Sequence, residues 1–186
     1  MRIISGALKG RELKTSVGPG YRPAMSKVRA AIFSMLEARG VVWPGARVLD
    51  IFAGSGSLGF EALSRGAPFV CFVEMDKKAA RVIRENAEKF GLDAGRYAVH
   101  AKDARTFLSS RDMDPFDVIF IDPPYRENFL ASSLTAVLRK NWLREGGVIN
   151  AEVERGIKFD PEVDFPPLAC IADREYGQTR VVLWTL

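Results

Sequence analysis

The sequence predicts an α/β fold built on a doubly wound, seven-stranded, mostly parallel β-sheet. Three features of the 186-residue chain support this prediction. Apolar strand-like runs alternate with helix-like segments along most of the chain, a glycine-rich turn follows the first of these runs, and two strand-like runs close the sequence. A small N-terminal β-hairpin and helix precede the sheet as an extension.

The composition is that of a soluble globular protein, with 47% hydrophobic and 27% charged residues. No uninterrupted apolar segment could cross a bilayer, and the first residues lack the apolar core of a signal peptide, so we expect a cytoplasmic protein without a membrane partner.

Cys71 and Cys170 lie in apolar runs and are predicted to be buried packing residues. His100 has no partner at ligand spacing, so no metal site is expected.

Residues 1–40 are predicted to form a basic N-terminal extension, and residues 41–186 the main domain. Residues 2–6 and 9–13 are typical of two short strands around a turn, residues 17–23 of a loop, and residues 26–38 of a helix. The first 29 residues carry seven basic side chains and one acid, a net charge of +6. Because the whole chain is +4, the remainder is −2.

A basic segment on a slightly acidic body indicates a nucleic-acid binder, although a solvated terminal segment without a partner is the simpler alternative. The residues predicted to contact nucleic-acid phosphates are Arg2, Lys9, Arg11, Arg22, Lys27 and Arg29.

Residues 48–59, VLDIFAGSGSLG, are the stretch around which the chain is organised. The apolar run at 48–52 is typical of a strand buried on both faces of a parallel sheet. The glycines that follow permit positive φ angles and close approach of a ligand to the backbone. From Leu58 the apolar spacing becomes helical. Strand, glycine turn and helix in this order predict a Rossmann-like site for a cofactor that contains a nucleoside.

The remaining elements follow from the same periodicities and from glycine and proline positions. Strands are predicted at 69–74, 97–101, 116–121, 148–153, 168–172 and 179–184, and helices at 77–90, around 107–108 and at 129–142. Gly146 and Gly147 are expected to separate the last helix from the fifth strand.

The glycine turn leaves two cofactor classes open. Gly54, Gly56 and Gly59 fit the dinucleotide fingerprint, and Glu74 stands twenty residues after Gly54, so a nicotinamide-dependent oxidoreductase is one alternative. Asp50, at the end of the strand, would repel a pyrophosphate and suits the cationic amino group of S-adenosylmethionine. This carboxylate alone separates the two classes only weakly.

Acids follow four successive strands, at Asp50, Glu74, Asp103 and Asp122. Ligands of open α/β sheets bind outside the carboxyl ends of the strands, so these acids are expected to share one rim. Glu74 is suited to both ribose hydroxyls and Asp103 to an adenine amino group. The alternative is that each acid only caps the helix that follows it.

Residues 122–125, Asp122-Pro123-Pro124-Tyr125, are the more specific motif. The prolines have no N–H and stiffen the loop, which leaves carbonyl oxygens free to accept hydrogen bonds. Tyr125 offers a stacking surface. Together they match a planar exocyclic amine of a nucleobase, which Asp122 and the Pro123 carbonyl would orient for attack. A proline-stiffened strand exit with no such role is the alternative.

Residues 50–56 and 122–125 resemble the cofactor and catalytic motifs of S-adenosylmethionine-dependent amino-group methyltransferases. Residues 2–6, 9–11, 22–23 and 28–29 further resemble the start of the bacterial methyltransferases that modify guanine N2 in 16S ribosomal RNA, as do residues 74–76 and 177–179. The sequence departs from that family at residues 24–27 and at Ala30, in the predicted helix that contacts RNA.

The resemblance implies a class I methyltransferase with S-adenosylmethionine as its cofactor. Its partner would be 16S ribosomal RNA, free or within a partly assembled small subunit, with the target base flipped out against Tyr125. We expect a monomer with no metal. The implied cofactor residues are Asp50, Phe52, Ala53, Gly54, Gly56, Glu74, Met75, Asp103, Ala104 and Asp122. The implied catalytic residues are Asp122, Pro123, Pro124 and Tyr125.

Three other functions stay open at this stage. An N6-adenine methyltransferase acting on DNA or RNA would use the same two acceptors. A nicotinamide-dinucleotide oxidoreductase leaves the basic segment and the Asp-Pro-Pro-Tyr loop unexplained. An RNA-binding protein without activity needs no intact rim of acids.

Overall fold

The computed structural model describes residues 1–15, 23–110, 113–124 and 129–186. Within these ranges the helices are α1 (Pro23–Ala38), α2 (Ser57–Ser64), α3 (Lys77–Phe90), α4 (Ala104–Ser109) and α5 (Phe129–Arg139). The strands are β1 (Arg47–Ile51), β2 (Phe69–Val73), β3 (Tyr97–His100), β4 (Phe116–Ile121), β5 (Leu143–Glu154), β6 (Ala169–Tyr176) and β7 (Thr179–Thr185).

The strands form one seven-stranded sheet in the order β3-β2-β1-β4-β5-β7-β6. The first five strands run parallel, and β7 pairs antiparallel with both β5 and β6. The predicted doubly wound, mostly parallel architecture is confirmed. The direction of winding reverses between β1 and β4, and such a switch point is where ligands bind in sheets of this kind.

Each central strand buries side chains on both faces of the sheet, as its nearly continuous apolar sequence predicts. In β4, Phe120 belongs to the core cluster that includes α1, α2 and α3, whereas Ile119 and Ile121 belong to the cluster that includes α4 and α5. We call the first side the α1 face of the sheet. Successive residues of a strand therefore alternate between two separate cores.

Three predicted boundaries in the second half are wrong. The strand predicted at residues 168–172 is β6, which continues to Tyr176. The helix α5 ends at Arg139, and β5 begins at Leu143 rather than at residue 148. Gly146 and Gly147 do not separate the two elements; they lie inside β5, where the pairing register with β4 shifts. A Cβ on Gly147 would lie 2.8 Å from the Arg144 carbonyl oxygen, so this irregular backbone excludes larger residues.

The N-terminal residues are held against the body of the protein. The predicted hairpin is present as a single antiparallel bridge between Arg2 and Glu12. The backbone N–H groups of Ile4 and Ser5 donate to the buried Glu61 carboxylate at 2.8 and 2.9 Å, and Leu8 donates to Ser64 Oγ. The predicted division of the chain after residue 40 stays a prediction.

The helix predicted at residues 26–38 is confirmed and begins slightly earlier, at Pro23, while most of the loop predicted at 17–23 lies outside the described residues. Cys71 is buried as predicted, and Cys170 is only half-buried. In the described part of the chain, no helix has the length and apolar character needed to cross a membrane.

Candidate active site

A pocket of about 270 Å³ opens at the carboxyl ends of β1, β2 and β4. Its lining includes six of the ten predicted cofactor residues, namely Phe52, Glu74, Met75, Asp103, Ala104 and Asp122, together with Val73, Lys102, Pro124 and Phe129. A second cavity, of about 260 Å³, lies near Asp117 and Gly147 at the opposite end of the sheet, away from the predicted residues. Because ligands of such sheets bind at the carboxyl ends, the first pocket is the candidate site.

The glycine turn connects β1 to α2 through left-handed backbone. Phe52, Gly54 and Gly56 have φ angles of 62°, 55° and 76°. Gly59 allows α2 to pack closely on β2, because a Cβ there would lie 2.2 Å from the Phe72 ring. The third glycine of the motif therefore serves helix–strand packing, the role it has in nucleotide-binding turns.

Asp50 lies beneath this turn and does not line the pocket. It is 2% exposed, and its Oδ2 accepts a hydrogen bond of 3.0 Å from the Gly59 N–H in the first turn of α2. Burial raises the pKa of Asp50 well above its usual range, against the opposing effect of that hydrogen bond. In this structure Asp50 joins strand to helix, and contact with a cofactor amino group stays a prediction.

Glu74 fixes the turn from the end of β2. Its Oε2 accepts a 2.7 Å hydrogen bond from the Gly54 N–H, and its Oε1 accepts a 2.8 Å bond from the Asp76 N–H. A carboxylate has about four lone-pair sites, so two acceptor positions stay open for a ligand in the pocket. Glu74 is therefore oriented by the backbone before any ligand binds.

Asp103 caps α4 and also lines the pocket. Its Oδ1 accepts a 3.0 Å hydrogen bond from the Thr106 N–H, so the capping alternative is confirmed. This role does not remove Asp103 from the site, because the same residue faces the pocket together with Ala104. Asp103 therefore stabilises the start of α4 and can also accept a hydrogen bond from a ligand in the pocket.

Asp122 and Pro124 complete the pocket from the end of β4. Pro123 is buried between them, and Tyr125 lies outside the described residues. Although Asp122 borders open space on its pocket side, the surrounding protein atoms bury its carboxyl group and raise the pKa of Asp122 to about 6.

Glu152, on β5, is an acid beside Asp122 that the sequence did not reveal, although it does not itself line the pocket. It lies next to Asp122 across the sheet, and burial together with the charges of Asp122 and Asp50 raises the pKa of Glu152, while Arg29 lowers it. The sequence pattern placed Glu152 inside a strand, so it was not counted among the acids at strand ends. Only the register of β4 against β5 brings it to the rim.

Because Asp122 lies in a cluster of acids, we predict that the free energy of unfolding depends on pH. Asp122→Asn should reduce this dependence. The folded protein retains a proton on Asp122 up to about pH 6, whereas the usual carboxyl value is 3.8. The folded state therefore binds more protons in this window, and the free energy of unfolding falls as pH rises from about 4 to 6. The variant should gain thermal stability relative to wild type above pH 6, and less at pH 4.

Thermal unfolding at several pH values would measure this difference. Asp114→Asn, which removes an exposed carboxylate, is the matched control. Asp50 and Glu152 also face this region, and the charge of Asp122 raises the pKa of both carboxyl groups. The difference between the two proteins therefore reports the loss of the Asp122 proton together with the lowered pKa of these two neighbours. A stability difference that is the same at pH 4 and pH 8 would contradict the prediction.

The predicted phosphate-contacting residues do not all reach solvent. Arg2, Lys9 and Lys27 are exposed. Arg11 is exposed but engaged with α3, because its guanidinium lies 4.7 Å above the Phe90 ring and donates to the Lys89 carbonyl at 2.6 Å.

Arg29 and Arg22 are the remaining two residues of this set. Arg29 is 4% exposed and donates to the Arg2 carbonyl oxygen at 2.6 Å. Its burial does not fit the predicted phosphate contact, because the charge points into the protein. Arg22 lies outside the described residues.

Comparisons with known proteins agree on one family. The family model described as "Conserved hypothetical protein 95" matches residues 1–185. The chain is 38% identical to "Putative rRNA methyltransferase YlbH" of Bacillus subtilis, over 99% of this chain and 98% of that protein. It is 36% identical to "Ribosomal RNA small subunit methyltransferase D" of Escherichia coli K12, over 87% and 79%. The solved structure of "Putative methyltransferase yhhF" from Escherichia coli superposes with a TM-score of 0.83 at 31% identity, covering 100% and 97%.

Proposed function

The chain belongs to the family described as "Conserved hypothetical protein 95", and from this premise we propose that it transfers a methyl group from S-adenosylmethionine to the N2 amine of a guanine in 16S ribosomal RNA. Relatives that cover most of this chain carry the names of ribosomal RNA methyltransferases, which supports the substrate class. We further propose that the reaction takes place in the cytoplasm and that the protein acts as a monomer.

The observation that carries the proposal is the position of Asp122 in the wall of the pocket at the carboxyl ends of the strands, together with Phe52, Glu74 and Asp103. The residues of this pocket fit S-adenosylmethionine. Glu74 and Asp103 supply acceptors for ribose hydroxyls and an adenine amino group, and the Phe52 and Phe129 rings, 5.5 Å apart, supply apolar surface. Asp122, the carboxylate that we propose binds the amine, therefore borders the pocket that we propose binds the cofactor.

The chemistry that these residues can support needs no metal and no covalent intermediate on the protein. The bound cofactor supplies a methyl group that is electrophilic because its sulfur is positively charged. Asp122 accepts a hydrogen bond from the N2 amine and holds the nitrogen lone pair toward the methyl carbon. As the nitrogen–carbon bond forms, the carbon–sulfur bond breaks, and the surplus amine proton passes to Asp122 or to water.

Mapping the methyl group tests this proposal. The protein is incubated with tritiated S-adenosylmethionine and, in separate reactions, with small ribosomal subunits or their free RNA and with genomic DNA, all from cells that lack this chain. We expect label in 16S ribosomal RNA, and N2-methylguanosine after digestion to nucleosides. N6-methyladenine in DNA or RNA would show that the target base is adenine and not guanine. Absence of label from both nucleic acids would overturn the proposal.

We further propose that Arg2, Lys9 and Lys27 contact RNA phosphates. Replacing all three with glutamine should weaken RNA binding and flatten its dependence on salt. Each lost phosphate contact is expected to lower the slope of log affinity against log salt by about one unit. Binding of the RNA substrate is measured by titration over a range of salt concentrations.

A control with the same change in charge uses basic residues on α5 and the segment after β5. Arg139, Lys140 and Lys158 are replaced with glutamine in the same way, and the slope should stay near that of the wild type. An equally steep slope in the first triple variant would mean that the phosphates bind elsewhere.

A further inference from the structure

Glu152 lies directly beside Asp122 on the neighbouring strand. Ile121 of β4 pairs in register with Ala151 of β5, and Asp122 and Glu152 are the next residue of each strand. Neighbouring strands are separated by about 4.8 Å, so the two residues lie within reach of one small ligand. Because side chains alternate along a strand, both point to the α1 face, the same face as Phe120.

A second observation on this face is independent of the acids. Asn150, two residues before Glu152 on the same strand, is 0% exposed. Within the described part of the chain, neither its Nδ2 nor its Oδ1 has a hydrogen-bond partner. An unsatisfied buried amide is costly, so it indicates a position where a ligand group or bound water completes the site.

Arg29 partly offsets the effects that raise the pKa of Glu152. Arg29 of α1 is 4% exposed, and its guanidinium favours the ionised form of Glu152, against burial and the charges of Asp122 and Asp50. Glu152 itself is only half-buried. Because the Glu152 side chain is partly open, its carboxyl group can accept a hydrogen bond from a ligand donor.

We propose that Glu152 accepts the N1–H of the target guanine while Asp122 accepts the neighbouring N2–H. The inference rests on the proposed function and names the residue that selects guanine. The Watson–Crick edge of guanine presents N1–H and the N2 amine side by side as donors, whereas adenine presents an acceptor at N1 next to its N6 amine. In its ionised form Glu152 pairs with guanine and repels the N1 lone pair of adenine. Because burial raises the pKa of Glu152, this preference for guanine should strengthen as the pH rises.

An atom-level substitution in the RNA tests this role. The methylated guanosine, once mapped, is replaced by 2-aminopurine, which retains the exocyclic amine, has an acceptor in place of N1–H and lacks O6. The comparison with Glu152→Gln separates the loss of N1–H from the loss of O6. Both RNAs are offered free and after assembly into the small subunit. Wild-type kcat/KM should be lower for the 2-aminopurine RNA by about ten- to hundredfold, the discrimination expected of one well-placed hydrogen bond.

The variant Glu152→Gln should lose this preference, because an amide can donate to N1 of 2-aminopurine or accept from N1–H of guanine. Glu152→Asp should retain part of the preference, and Glu154→Gln, an exposed change two residues along β5, should retain all of it. S-adenosylmethionine affinity and thermal stability, measured in parallel, report any purely structural effect of Glu152.

The wild-type comparison decides the outcome even if the Glu152→Gln protein does not fold. Equal methylation of guanosine and 2-aminopurine RNA by the wild type would overturn the inference and leave the proposed function intact. A preference that Glu152→Gln fully retains would also overturn it. If wild type methylates neither RNA, the proposed function itself fails, so the two failures are distinguishable.

Discussion

Asp122→Asn is expected to slow methyl transfer by about a hundredfold or more while leaving S-adenosylmethionine binding nearly intact. The substitution retains the size of the side chain and removes the carboxylate that accepts from the amine. Loss of one preorganised electrostatic contact costs on this scale. Asp122 forms only part of the pocket wall, and Glu74 and Asp103 provide the acceptors for the cofactor. Single-turnover methyl transfer and calorimetric binding separate the two effects.

Asp114→Asn is the matched control, since it makes the same chemical change at an exposed position outside the pocket. It should transfer methyl groups at the wild-type rate. If Asp122→Asn retained the wild-type rate, the carboxylate would have no part in orienting the amine, and the Pro123 carbonyl or another acceptor would have to suffice.

Most of the fold could be predicted because its signals are local. The first four parallel strands are short apolar runs, and Gly91 and Pro123 stand just beyond the predicted ends of α3 and β4. The helix α3 and the strand β4 have the predicted bounds, at Lys77–Phe90 and Phe116–Ile121. For these elements, propensity, periodicity and capping all favour the same structure.

The misjudged boundaries depend on contacts between distant parts of the chain. Gly146 and Gly147 indicate a break in any local reading, yet pairing with β4 carries the strand through them. Trp142 was assigned to the helix by its apolar character. It is instead buried after α5, where its Nε1 donates to the Leu108 carbonyl at 3.1 Å. Neither partner can be identified from neighbouring residues.

The residues of the candidate site also fall into those that the local sequence predicts and those that depend on contacts between distant parts of the chain. Glu74, Asp103 and Asp122 follow strands directly, and their position on one rim follows from the parallel order of the sheet. Glu152 becomes a neighbour of Asp122 only through the strand register, and Arg29 was assigned to the surface because charge alone does not reveal burial. Sequence patterns predict which end of the sheet is functional more readily than which side chains face each other there.

Glu74→Gln is expected to weaken S-adenosylmethionine binding by about tenfold to a hundredfold. A hydrogen bond to a charged acceptor contributes about 1.5–3 kcal/mol, and the ribose diol of the cofactor would lose at least one. The amide also places N–H donors against the backbone N–H groups of Gly54 and Asp76, which now donate to the carboxylate at 2.7 and 2.8 Å. Some loss of thermal stability is therefore expected as well.

Calorimetric titration well below the unfolding temperature separates these two consequences. Glu88→Gln, an exposed change on α3, is the control and should alter neither affinity nor stability. If Glu74→Gln lowered the unfolding temperature but left the affinity unchanged, Glu74 would serve only to hold the glycine turn, and the ribose hydroxyls would bind another acceptor. A weakened affinity with a small stability loss is the result expected of a carboxylate that orients the turn and also contacts the cofactor.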